Sequence, residues 1–250
     1  SDTICFYLVF QSCYDMILPF YIFKFLWTEF PDQLPEGIEG LHFHTLCEQN
    51  ADDLAKTLEA VEEKFGSYLY RMKWLNFGGG HHITRADYDV ELLEKCIRHM
   101  KETYDLEIYL EPGEAVALNA GYLATTVLDV VENGTKTLIL DASAACHMPD
   151  VLEMPYRPPL KDSGMPEEKA YTYRLSSYTC LAGDIIGDYS FGTEKKTGDR
   201  LYFEDMAIYS MVKNNTFNGI PLPDIAVMEE DGDCKVIRSF DYEDFKGRLS

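Results

Sequence analysis

At 250 residues with 46% hydrophobic side chains, the chain can bury one large core or two small ones, so disorder is not the default. Its 43 acidic against 22 basic side chains give a formal charge of −21, which argues against nucleic-acid and anionic-membrane partners and makes small cations the natural guests, although an acidic surface also serves solubility alone. Seven cysteines, an odd number with no CxxC pair, argue against a disulfide framework or a metal site and fit a reducing cytoplasm.

The first 29 residues form an anomalous hydrophobic lead. Ile4 to Trp27 is dense in Phe, Tyr, Leu and Ile but is broken by Gln11, Asp15, Pro19 and Lys24. A signal peptide fits poorly, without a basic start or a small-residue cleavage site. A membrane span and a truncated or misread gene start both fit, and the opening Ser1 in place of Met favours the second. Partitioning into detergent separates the two.

From Gly37 to about Leu118, short apolar runs alternate with amphipathic helices, the rhythm of βα units on a parallel sheet. Ile38 to His44, Lys73 to Phe77 and Leu106 to Leu110 read as strands. Asn50 caps an expected helix with Leu54, Leu58, Val61 and Phe65 on one face and Gly66 as its stop. Asp87 caps a second that buries Val90, Leu93, Ile97 and Met100. After Gly121 the runs become β-branched and aromatic, and Asn133-Gly134 and Asp231-Gly232 each signal a hairpin in a domain of antiparallel strands. Pro149 to Pro166 reads as an extended loop.

Parallel α/β barrels place their sites at the C-terminal ends of the strands, and three such ends here are polar. They are His42-Phe43-His44, Phe77-Gly78-Gly79-Gly80-His81 and Glu111-Pro112-Gly113-Glu114. A triple glycine between strand and helix lets backbone N–H groups converge on a phosphate. Each feature alone also has a plain structural reading: a tight turn for the glycines, a salt bridge for Glu111, a hydrogen-bonded core imidazole for His44.

The joint order of GLHFHTLCEQ, LNFGGGH, LEPGEA, TCLAGD and FEDMAIYSMVKNNTFNG resembles the fold-type III pyridoxal-phosphate decarboxylases, a family that includes ornithine and diaminopimelate decarboxylases. The stretch CHMPDVLEMPYRPP, Cys146 to Pro159, is similar to the carboxynorspermidine (carboxyspermidine) decarboxylase branch. The resemblance runs from about Phe30 to Asp224. It implies an α/β fold: part of a TIM (β/α) barrel of the alanine racemase/ornithine decarboxylase type over residues 30–118, then a C-terminal antiparallel β domain over 119–250.

The resemblance also implies roles. His44 would stack on the ring of pyridoxal 5'-phosphate, and Gly78, Gly79 and Gly80 would bind its phosphate through backbone N–H groups, with Tyr209 adding a hydroxyl. Glu111 would face the pyridine nitrogen and favour the protonated ring. Cys180 would return a proton to the carbon left by decarboxylation, reaching across a homodimer interface. Many family members carry arginine after the Glu-Pro-Gly, where it helps hold phosphate. Glu114 stands here instead, and Glu114, Asp150 and Asp184 are the expected grips for a cationic polyamine substrate.

The family's Schiff-base lysine lies on the first barrel strand, upstream of the His44 motif, and none of Lys24, Lys56, Lys64, Lys73, Lys95 or Lys101 sits at such a position. The expectation is therefore a cytoplasmic polyamine-forming carboxy-lyase represented by a fragment that is inactive alone and forms no pyridoxyl-lysine on borohydride reduction. The alternatives are a diaminopimelate decarboxylase-like enzyme and a non-catalytic decarboxylase-like interaction protein.

Overall fold

The computed structural model describes the backbone at residues 5–10 and 22–26, and backbone and side chains at 33–34 and 36–249. The chain divides into two units, Ser1–Val116 and Ala117–Ser250.

In the first unit, β1 (Cys5–Phe10), β2 (Ile22–Leu26), β3 (Ile38–Phe43), β4 (Trp74–Asn76) and β5 (Glu107–Tyr109) form a sheet in the order β2-β1-β3-β4-β5. β3, β4 and β5 are parallel, with His42 opposite Asn76 and Asn76 opposite Tyr109. The connections between them are helices α1 (Ala51–Leu69) and α2 (Val90–Tyr104). β1 runs antiparallel to both β2 and β3, so the hydrophobic lead contributes two strands to this sheet. A closed barrel is not formed among the described residues. Nor is any described helix long and apolar enough to cross a membrane.

The period-2 alternation of strands divides the sheet into two faces. Leu41, Phe43, Leu75 and Phe77 share a core with Leu54, Leu58, Val61, Phe65 and Leu69 of α1 and Leu93, Cys96 and Met100 of α2. His42, Asn76 and Tyr109 make one rung of the other face.

Both helix ends correct the expectations. α1 runs through Gly66, where a Cβ would lie 3.4 Å from the Tyr104 hydroxyl, and ends at Leu69. Tyr104 donates to Glu62 (3.0 Å), and burial with that carboxylate raises its pKa to about 12. Asn50 sits at the start of α1 but makes no capping hydrogen bond with its side chain. The cap of α2 is Asp89, whose Oδ1 accepts from the Leu92 N–H at 2.8 Å, while Asp87 is ion-paired with Arg85. Val90, expected in the core, is 50% exposed.

The second unit is built on β6 (Leu123–Asn133), β7 (Thr135–Leu140), β8 (Tyr171–Ser177), β9 (Ile185–Phe191) and β10 (Arg200–Phe203), in the order β10-β6-β7-β8-β9. The β6–β7 hairpin turns at Gly134 (φ +74°), and β11 (Ile225–Met228) pairs with β12 (Cys234–Arg238) across a turn that includes Gly232 (φ +90°). The expected all-antiparallel domain is corrected at one junction: β7 and β8 are parallel. Parallel neighbours need a long crossover, and residues 141–170 supply it. That crossover carries two single-turn helices, α3 (Ala144–His147) and α4 (Asp150–Glu153), where a plain loop was expected after Pro149. A final helix, α5, spans Tyr242–Gly247. Leu138, Leu140, Tyr173, Leu175, Tyr189 and Phe203 anchor the core.

Candidate functional site

The ladder of the parallel sheet continues past the ends of β4 and β5. The Phe77 N–H donates to the Tyr109 carbonyl (2.9 Å) and the Glu111 N–H to the Gly78 carbonyl (2.8 Å). These bonds draw the segment after β5 against the glycine turn after β4. A Cβ built on Gly79 would lie 2.8 Å from the Glu111 carbonyl oxygen and 2.9 Å from His44 Cε1. Gly79, Glu111 and His44 therefore converge on one place, with the His44 and Glu111 side chains exposed there. Gly78 (φ +69°) and Gly80 (φ +82°) hold the turn in left-handed conformations.

Two residues to which the sequence assigned no role, Asn76 and His42, organise this place. Asn76 donates from Nδ2 to Glu111 Oε1 (2.7 Å) and accepts the Gly78 N–H on Oδ1 (2.8 Å). His42 Nε2 lies 3.5 Å from Glu111 Oε2. Burial lowers the His42 pKa, the Glu111 carboxylate opposes that shift, and His44 reinforces it. The only sequence signal for Asn76 was an amide at a strand end two residues before the glycines.

The Gly78 N–H, expected to meet a phosphate, donates to Asn76 Oδ1. The Gly79 N–H makes only a long contact to His44 Nδ1 (3.4 Å), and the Gly80 N–H makes no hydrogen bond among the described residues. Available amide donors, a cradle that a Cβ would fill, an exposed imidazole and an amide-oriented carboxylate fit a phosphorylated ring cofactor. Ligand atoms of His42, His44 and Glu111 also lie within 4.8 Å of one another.

Glu114 has local partners. Its Oε1 lies 2.8 Å from His82 Nε2 and accepts from the Thr84 hydroxyl at 2.5 Å.

In the second unit, Asp184, expected to meet substrate, is 1% exposed and forms a hub of polar contacts. Its Oδ2 accepts from the Ser143 and Thr179 hydroxyls (2.7 and 2.6 Å), and its Oδ1 accepts from the Ala145 N–H (3.2 Å). These bonds tie the loop carrying Cys180 to the start of α3. Buried His147, on the same helix, accepts the Ser143 N–H on Nδ1 (3.1 Å) and donates from Nε2 to the Pro221 carbonyl (3.0 Å). Asn215 adds bonds to Cys146 and Ala145, so α3 is laced to the segment 215–221. From that segment Asn218, at φ +59°, donates to the exposed Cys180 sulfur at 3.0 Å. Asp150 is ion-paired with Lys213 at 2.5 Å, which occupies one oxygen expected to meet substrate. Tyr209 is 54% exposed, with Lys213 Nζ 5.6 Å from its ring centre.

Burial also lowers the pKa values of His81 and His147. Unfolded imidazoles titrate near pH 6.5, so between that value and the lower folded ones the unfolded chain binds more protons. Stability is therefore full above about pH 6.5 and falls as pH drops through the folded values, by up to about 1.4 kcal/mol per pH unit per imidazole. Urea midpoints measured from pH 7.5 to 5.5 are expected to fall over the acid half of that range, and a flat profile contradicts the buried neutral histidines.

The first unit is thus a βαβαβ arrangement with a glycine turn at its strand ends, and the second a mixed sheet. The family model for the pyridoxal-dependent decarboxylase C-terminal sheet domain matches residues 7–207, and the chain belongs to the pyridoxal-dependent decarboxylases. It is 44% identical over 224 residues to a carboxynorspermidine/carboxyspermidine decarboxylase of Campylobacter jejuni, covering 85% of this chain and 58% of that protein. It is also 44% identical over 218 residues to a carboxyaminopropylagmatine decarboxylase of Synechocystis, covering 86% of this chain and 56% of the relative. The chain thus spans a little over half the length of these curated relatives. The crystal structure of Campylobacter jejuni carboxynorspermidine decarboxylase complexed with norspermidine superposes with a TM-score of 0.82 at 41% identity, over 90% of this chain and 64% of that one. A diaminopimelate decarboxylase at 18% identity and TM-score 0.68, covering 84% of this chain and 55% of that one, shares the fold.

Proposed function

We propose that the chain carries the cofactor-holding and proton-donating residues of a pyridoxal-phosphate-dependent decarboxylase that converts carboxynorspermidine or carboxyspermidine to the corresponding polyamine. The observation that carries this reading is the convergence of Gly79, His44 and Glu111 at the strand ends, in a chain 44% identical to two decarboxylases of related carboxylated polyamines. In this reading the three βα strands are part of a (β/α) barrel, and the complete protein is a cytoplasmic homodimer.

When bound, pyridoxal 5'-phosphate supplies the electron sink for loss of carbon dioxide. His44 would stack on the ring, and the Gly79 and Gly80 N–H groups would hold the phosphate, with the Tyr209 hydroxyl given by the resemblance as a further donor. Glu111, oriented by Asn76, would keep a proton on the ring nitrogen by direct charge pairing. Cys180, whose sulfur accepts from Asn218, would be the acid that returns a proton to the α carbon. The charge of −21 draws in a polycationic substrate.

Carbon dioxide release from carboxynorspermidine, carboxyaminopropylagmatine and diaminopimelate tests the reading. In a longer protein that also supplies the Schiff-base lysine, turnover of carboxynorspermidine is expected, reduced about a hundredfold or more in Glu111→Ala, while the chain alone is expected to be inactive. Preference for carboxyaminopropylagmatine would reassign the substrate, and preference for diaminopimelate would replace the polyamine reading.

A further inference from the structure

We infer that Glu114 is a positioning residue: with His82 and Thr84 it forms a latch that fixes the Glu111 turn against the glycine turn, rather than a grip on substrate. The consequence drawn for the cofactor rests on the proposed function; the latch itself does not.

The glycine turn after β4 and the Glu111–Glu114 turn after β5 belong to different strands, and the strand ladder ties them at one end only. There the Glu111 N–H meets the Gly78 carbonyl, and Asn76 spans the Glu111 carboxylate and the Gly78 N–H. At the other end Glu114 reaches across to His82, two residues past Gly80, and to Thr84, with Oε1 taking both contacts at 2.8 and 2.5 Å. The side chains of His82 and Glu114 are 21% and 24% exposed, so the contact is partly shielded from water. Two attachments flanking Gly79 and Gly80 leave the cradle little freedom to change its distance from Glu111. A bare carboxylate beside a phosphate would repel it, and a carboxylate committed to an imidazole and a hydroxyl does so less.

The test is hydrogen exchange by mass spectrometry on the whole chain, read over residues 77–90, with helix α1 as the internal control. Glu114→Ala and His82→Ala are each expected to speed exchange over residues 77–90 about tenfold while α1 is unchanged. The double variant is expected to be no faster than Glu114→Ala alone, because removing Glu114 already breaks the contact that His82→Ala removes. Glu114→Gln keeps the acceptor and is expected to stay within about threefold of the parent. In parallel, Glu114→Ala is expected to weaken pyridoxal 5'-phosphate binding about tenfold with no substrate present. Unchanged or strictly additive exchange overturns the latch, as does a Glu114→Ala variant altered only in its binding of a cationic polyamine. If the parent chain binds no pyridoxal phosphate, the cofactor reading fails, and the exchange result still decides the latch.

Discussion

Gly80→Ala is expected to destabilise the first unit by about 3 kcal/mol or more and to remove binding of phosphorylated ligands with it. At φ +82° an alanine is strained whatever the space around it, and here there is none: its Cβ would lie 2.1 Å from the Leu46 carbonyl oxygen and 2.8 Å from the Cys47 amide nitrogen. Both are backbone atoms that cannot rotate away. The carbonyl of Gly80 also accepts from the Gln49 N–H (2.9 Å), so moving the turn breaks the bond that holds the start of α1 beside it. Urea unfolding followed by tryptophan fluorescence measures the change. A midpoint equal to that of the parent chain would show that the turn is looser than described.

Asp184→Ala is expected to cost the second unit about 3–5 kcal/mol, because it leaves the Ser143 and Thr179 hydroxyls and the Ala145 N–H in a buried place without their shared acceptor. The same change frees the loop that carries Cys180, so the alkylation rate of that thiol is expected to change several-fold. Denaturant unfolding and peptide mapping after iodoacetamide read the two effects. An Asp184→Ala chain with unchanged stability and unchanged Cys180 reactivity, altered only in substrate affinity, would restore the carboxylate to the role expected from sequence.

Much of the first unit was legible because its signals are local. Leu41, Phe43, Leu75 and Phe77 alternate with polar residues at strand spacing, Leu54, Leu58, Val61 and Phe65 recur at helical spacing, and the three polar strand ends follow directly. What was not legible depends on partners distant in sequence. Gly66 reads as a helix stop until Tyr104 is found packed across it. Asp87 reads as the cap of the second helix until Arg85 is found paired with it, which leaves Asp89 to accept the Leu92 N–H. The parallel β7–β8 junction rests on a crossover whose path Asp184, Ser143 and His147 pin through buried polar contacts that leave no periodic trace. In the candidate site, His44, Glu111 and the glycines announced themselves by motif. Asn76 and His42, which orient Glu111, did not, since an amide and an imidazole near strand ends have many plain readings.

The central claim is that amides and side chains at these strand ends hold a phosphorylated ring. Calorimetric titration of the chain with pyridoxal 5'-phosphate and with unphosphorylated pyridoxal tests it most directly, alongside the Gly79→Ala variant. Binding of pyridoxal 5'-phosphate is expected, at least about a hundredfold tighter than pyridoxal since the phosphate takes charge-assisted hydrogen bonds, and that advantage is expected to vanish in Gly79→Ala. Equal affinity for the two ligands, or a Gly79→Ala variant that binds as the parent does, would contradict it.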